Sequence, residues 1–181
     1  MGGRGPPAVD AREERLLMAD SEHVKIIRKG VKAWNEWRKR NMGVKPDLSG
    51  VKLKGAELAY ANFTVTDLSG ADLTGSNLRQ AYMTHANLSG VSLPGSTLAR
   101  ADMRASNLAE ADLSGSDLFE AIFARAMLYR TDLSGCDLRD SIFIGSFLQE
   151  VDFSDSDITG ADFTRARTSG LKTEGATGPT P

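Results

Sequence analysis

ADLSGSDL, residues 111–118, holds two leucines five positions apart, and that interval decides the fold. Outward from it, a large apolar residue falls at every fifth position from Leu48 to Phe163 without a gap. There are 24 such centres: 16 Leu, five Phe, two Met and Ile158. Two residues before each centre stands Ala, Ser, Thr, Cys or Val, with Pro46 the one exception among the 24.

A period of five suits neither regular element. On a helix each step of five rotates the apolar residue by about 140°, so no stripe forms, and on a strand successive steps alternate faces. The chain must turn a corner about once per repeat. Four repeats then close a square coil with every centre pointing inward, stacked on the next coil about 4.8 Å away through ladder hydrogen bonds. Grouping the centres by twenty supports four walls. Phe63, Met83, Met103, Phe123, Phe143 and Phe163 fall on one, and only Phe153 among the other Phe or Met centres falls elsewhere. Gly55, Gly75, Gly95, Gly115 and Gly135 also recur at twenties, as expected where one corner needs positive φ. The expectation is an all-β repeat solenoid of about six coils over residues 46–166.

ADLTGSNL and ADLSGSDL, with their A(D/N)LXX pattern, resemble the pentapeptide-repeat family, and the likeness covers residues 46–166. It implies a right-handed quadrilateral β-helix. Members of the Qnr and MfpA type protect type II topoisomerases as mimics of DNA, and several dimerise through their C-terminal ends. By this resemblance the chain is expected to be a non-enzymatic partner of DNA gyrase or topoisomerase IV that protects against topoisomerase poisons, and a homodimer.

The remaining segments are read as accessories. Residues 1–20 are expected to be flexible. Residues 21–45 are expected to form one amphipathic capping helix, with Ser21 as N-cap, Val24, Ile27, Val31 and Trp34 at helical spacing and Trp37 beside them. Its surface would carry Lys25, Arg28, Lys29, Lys32, Arg38, Lys39 and Arg40. The rival reading is a basic, tryptophan-bearing helix that binds nucleic acid or membrane. Residues 167–181, with Leu171 their only large apolar residue, are expected to be a disordered tail, which leaves the last coil open to a second subunit.

Charge divides along the chain. Residues 1–45 carry 11 Lys/Arg against 6 Asp/Glu, and residues 46–166 carry 9 against 17, within an overall net of −2. No apolar run is long enough to span a membrane and no secretory signal is evident, so the expected compartment is the cytoplasm. Cys136 is the single cysteine, set in a small inward slot, while His23 and His85 read as surface residues. Neither a catalytic constellation nor a metal or cofactor site is expected.

Surface pattern is what remains. Two adjacent walls in the last three coils carry Asp112, Asp117, Glu120, Asp132, Asp137, Asp140, Asp152, Asp155 and Asp157 against Arg139 alone. Local turn bonding would account for many of these residues; the functional reading is a DNA-mimicking surface. Direct DNA binding is not expected of so acidic a body. On the two opposite walls Ile122, Met127, Ile142, Ile144 and Phe147 face outward. With Phe153 in the last coil they are expected to form a partner or dimer patch, and a generic scaffold that uses this patch is the alternative function.

Overall fold

Each five-residue unit is a short extended piece closed by a tight turn, as where the Val51 N–H donates to the Leu48 carbonyl at 3.1 Å. The structure, a computed structural model, describes residues 20–181; the segment expected to be flexible lies, Asp20 apart, outside the described residues. Positive φ recurs at every fifth residue from Gly50 to Gly175, so all four corners demand it and not one alone. Fourteen of these corner residues are not glycine, among them Val65 at φ 59°. A left-handed non-glycine costs roughly 1–2 kcal/mol, so the turns do not drive coiling; the core and the ladder hold them in place.

The ladder joins residues twenty apart. The Leu48 N–H donates to Asp67 O (2.8 Å) and the Asp67 N–H to Pro46 O (2.9 Å). Parallel bridges continue in this register from Asp47↔Asp67 to Asp157↔Thr177, six and a half coils. Among the described residues only β1 (Phe147–Gln149) and β2 (Arg167–Ser169), a parallel pair, run long enough to count as strands. Four walls result: wall 1 with centres Leu48 to Leu148, wall 2 with Leu53 to Phe153, wall 3 with Leu58 to Ile158 and wall 4 with Phe63 to Phe163.

Packing follows from the stacking. Every centre from Leu58 to Ile158 is buried. On wall 4 Phe143 stacks on Phe123 at 4.7 Å and on Phe163 at 5.0 Å, with ring planes 3° and 10° apart. On wall 3 the Ser76, Ser96 and Ser116 hydroxyls donate to Leu53, Leu73 and Leu93 carbonyls, and Cys136 Sγ to Leu113 O in the same slot.

Within residues 21–45 the chain forms two helices, not one. α1 (Ser21–Arg28) and α2 (Val31–Arg40) are separated at Gly30, whose φ of 98° no helix tolerates. The N-cap is Asp20 and not Ser21: its carboxylate accepts the Glu22 and His23 N–H groups. Ile26, Ile27 and Trp34 are buried, and Val24, Val31 and Trp37 are partly so. Trp34 lies 5.7 Å from Phe63 and so continues the wall 4 column by one ring.

His23 and Arg38 are corrected from surface to interior, 8% and 7% exposed. The reason is the unpaired backbone at the top of the first coil. His23 Nδ1 accepts the Asp47 N–H, Arg38 donates to Val44 O and Thr64 O, Trp34 Nε1 to Asn62 O, and Asn35 bonds Tyr60 O and the Asn62 N–H.

The tail expected to be disordered is instead a further half coil. Its ladder bonds pair Phe153 with Lys172, Asp155 with Glu174 and Ile158 with Thr177. The backbone edge above supplies the template, so polar centres such as Thr168 and Thr173 suffice. Leu148, Phe153 and Ile158 are consequently fully buried. Phe153 therefore belongs to the core and leaves the patch.

Candidate functional site: the outer walls

The residue before each centre points outward, and its chemistry is set first by the turn that follows. All fifteen Asp or Asn residues at this position accept the N–H two residues on, from Asp47 to Asp162. One side-chain oxygen is thereby tied down in each, and at Asp72, Asp102, Asp137, Asp152 and Asp157 the other oxygen meets a basic side chain. The turn asks for Asp or Asn and does not choose between them.

On walls 2 and 3 the choice is uniform in the lower coils. Asp112, Asp132 and Asp152 form one column and Asp117, Asp137 and Asp157 the next, each paired in register with the one below. Glu120, Asp140 and Asp155 lie at the corners of the same walls. The half coil adds Lys172 and Glu174, so ten carboxylates face Arg139 and Lys172, a local net of −8. Arg139 lies on Asp137 at 2.6 Å and reaches Asp157 at 3.8 Å; Lys172 meets Asp152 at 2.9 Å. Arg100, one coil above, holds Glu120. Asp112, Asp117, Asp132, Asp140 and Asp155 have no ion-pair partner among the described residues.

Hydrogen bonds keep this charge in place. The Arg139 guanidinium lowers the Asp137 carboxyl, and Thr159 lowers Asp157. At Asp152 burial pushes upward but is outweighed by Lys172 and Ser154. Asp137, Asp152 and Asp157 therefore lose charge only when the pH falls below the ordinary carboxylate range.

Walls 4 and 1 differ. Met127, Phe147 and Ile144 are 49%, 43% and 38% exposed, Ile122 and Ile142 half-buried. Ile122 stacks on Ile142 and Met127 on Phe147. Met127, Leu128, Tyr129, Phe147 and Gln149 line a cleft of ≈ 240 Å³.

No group of three His, Cys, Asp or Glu side chains is placed to hold a metal ion among the described residues, and no described helix is long and apolar enough to cross a membrane. Cys136 is buried, and that burial pushes its thiol up to about 12. A raised folded value means the thiol stays protonated at pH 8, and stability linked to it is lost only as pH rises from the ordinary thiol range toward 12. A thiol reagent at pH 8 should therefore label the native chain far more slowly than the urea-unfolded one; equal rates would contradict this burial.

Stacked parallel bridges at a spacing of twenty, with inward centres and outward turn residues, define a solenoid whose variable chemistry lies on its outer walls. The family model for pentapeptide repeats matches in 8 copies over residues 47–84, 66–98, 81–118, 96–135 and 131–167, and the chain belongs to that family. Among solved structures it resembles HetL, a pentapeptide repeat protein involved in heterocyst differentiation regulation from the cyanobacterium Nostoc. Identity is 26%, 73% of this chain and 70% of that one are covered, and the TM-score is 0.48. A pentapeptide repeat protein of the Arabidopsis thaliana thylakoid lumen is 31% identical over 50% of this chain and 59% of its own, with a TM-score of 0.42. A trypsin-treated variant of QnrB1, a plasmid-mediated fluoroquinolone resistance protein, is 22% identical over 67% and 65%, with a TM-score of 0.43. No curated protein sequence matches the chain.

Proposed function

We propose that this protein is a non-enzymatic binding rod whose acidic walls occupy the DNA-binding surface of a cytoplasmic type II topoisomerase, DNA gyrase or topoisomerase IV, and relieve the action of its poisons. One observation carries the reading. At six stacked positions where the turn would accept Asn, as it does at Asn77, Asn87 and Asn107, the chain has Asp. Asp112, Asp117 and Asp132 have no ion-pair partner among the described residues, and carboxylates about 5 Å apart repel one another, so stacking does not favour Asp over Asn at those three, whereas a basic partner surface does.

The test uses gyrase supercoiling with and without a fluoroquinolone. The triple change of Asp112, Asp132 and Asp152 to Asn removes three charges and retains each turn bond. It should weaken the effect at least about tenfold, and the same three changes to Lys should abolish it. An effect on gyrase that is unchanged by both would end the DNA-mimic reading.

The same reading makes the protein a homodimer through its C-terminal end. Phe163 and Ala161 remain only partly covered there, because the last half coil passes under walls 1, 2 and 3 and not wall 4. Sedimentation should then give twice the 19.4 kDa chain mass; a monomer at high concentration would overturn it. The second reading, a scaffold that engages an unrelated protein, is favoured by the apolar residues of walls 4 and 1.

A further inference from the structure

We infer that the corner between walls 4 and 1 in the lower coils is a docking surface for an acidic partner segment that carries large apolar side chains. Ile122, Met127, Ile142 and Phe147 stand at the outward position where all fifteen Asp or Asn residues of the rod accept a backbone N–H, so each gives up a bond the fold offers. Stacking on one another returns part of this, yet Met127 and Phe147 remain 49% and 43% exposed. Local stability therefore does not account for four such choices on adjoining coils.

The rim identifies the partner's charge. Residues 107–177 contain six basic side chains: Arg125, Arg130, Arg139, Arg165, Arg167 and Lys172. Arg139 and Lys172, on the acidic walls, are ion-paired, as is Arg130 with Glu150. Arg125, Arg165 and Arg167 have no ion-pair partner among the described residues, and all three lie on walls 4 and 1, where they outnumber Asp162, an unpaired carboxylate stacked below Ile142. Arg167 sits over the Phe147 ring at 5.2 Å. Arg125 runs beside Gly145, where an added Cβ would come within 3.9 Å of its Cγ.

Covering Phe147 and Ile144 would take these guanidinium groups partly out of water, which is favourable only if the partner brings carboxylates. An aromatic and aliphatic centre rimmed by arginine is also the composition of an energetic binding centre. Two copies meeting patch to patch would instead bring like charges together.

The test exploits the fold's own preference. Ile142→Asp and Phe147→Asp install the residue used at Asp132 and Asp152, so these variants should fold with an unchanged circular dichroism spectrum. Immobilised full chain is used to select from a displayed library of random peptides. The expected result is enrichment of peptides with both acidic and large apolar residues, whose binding falls at least about tenfold on Phe147→Asp and on Arg125→Glu and is unaffected by the Asn changes at Asp112, Asp132 and Asp152. Peptides without acidic bias, or equal binding to all variants, would overturn the inference. So would sedimentation showing a self-association that Phe147→Asp abolishes, since a second copy would then be the occupant. Because the gyrase assay reads the opposite walls, either proposal can fail without the other.

Discussion

Replacing Trp34 by Ala should destabilise the protein by about 3–5 kcal/mol, the range for removing a large buried aromatic side chain. Trp34 is fully buried, lies on Phe63 and donates to Asn62 O at 2.8 Å, so the change removes the top ring of the wall 4 column and leaves a carbonyl unpaired. Urea unfolding measures the loss, and hydrogen exchange locates it: protection should fall first in the coil that contains Asn62 and Thr64. Trp37, only partly buried, should cost distinctly less. A loss under about 1 kcal/mol for Trp34→Ala would mean that the cap is dispensable. The result bears on function because both proposed surfaces need a rigid rod, and a solenoid open at one end unravels from there.

Phe143→Ala should cost a similar amount, about 3–5 kcal/mol, but at the other end. Its ring stacks between Phe123 and Phe163 and meets the edge of Phe153 at 5.8 Å, so one deletion leaves a void bordered by three aromatic rings. Coils below it are held from one side only. Exchange should become fast over residues 147–177 while the coils next to the cap keep their protection. Uniform loss of protection along the rod would instead indicate a single cooperative unit. Since Asp152 and Asp157 stand in the frayed region, this variant should also weaken any effect on gyrase. The Asn changes at Asp112, Asp132 and Asp152 separate charge from rigidity, because they retain the turn bonds.

The legibility of this protein varied with the range of the interaction concerned. The five-residue period, the inward centres and the assignment of Phe143 and Phe163 to one wall follow from local spacing. The half coil was also written in the chain: Gly170 and Gly175 are in phase with the earlier corner glycines, and Ala166 and Ala176 with the small slots. It was hidden because Thr168 and Thr173 break the apolar signal, and only a preformed edge makes such centres sufficient. His23, Asn35 and Arg38 were harder still. Nothing in a basic amphipathic helix marks which of its polar residues must satisfy an open coil 24 to 27 positions further on.

For the surface the division is sharper. By itself the sequence determined the rod, its four walls and the segregation of acidic from apolar outward residues, because a five-residue repeat places each side chain by its index alone. Only the tertiary structure decided which charges remain unpaired. Arg130 with Glu150 and Lys172 with Asp152 are neighbours because coils stack, twenty residues apart. Among the described residues the same stacking leaves Arg125, Arg165 and Arg167 without an ion-pair partner beside Ile142 and Phe147. It also buries Phe153 beneath a half coil whose order comes from the ladder above it.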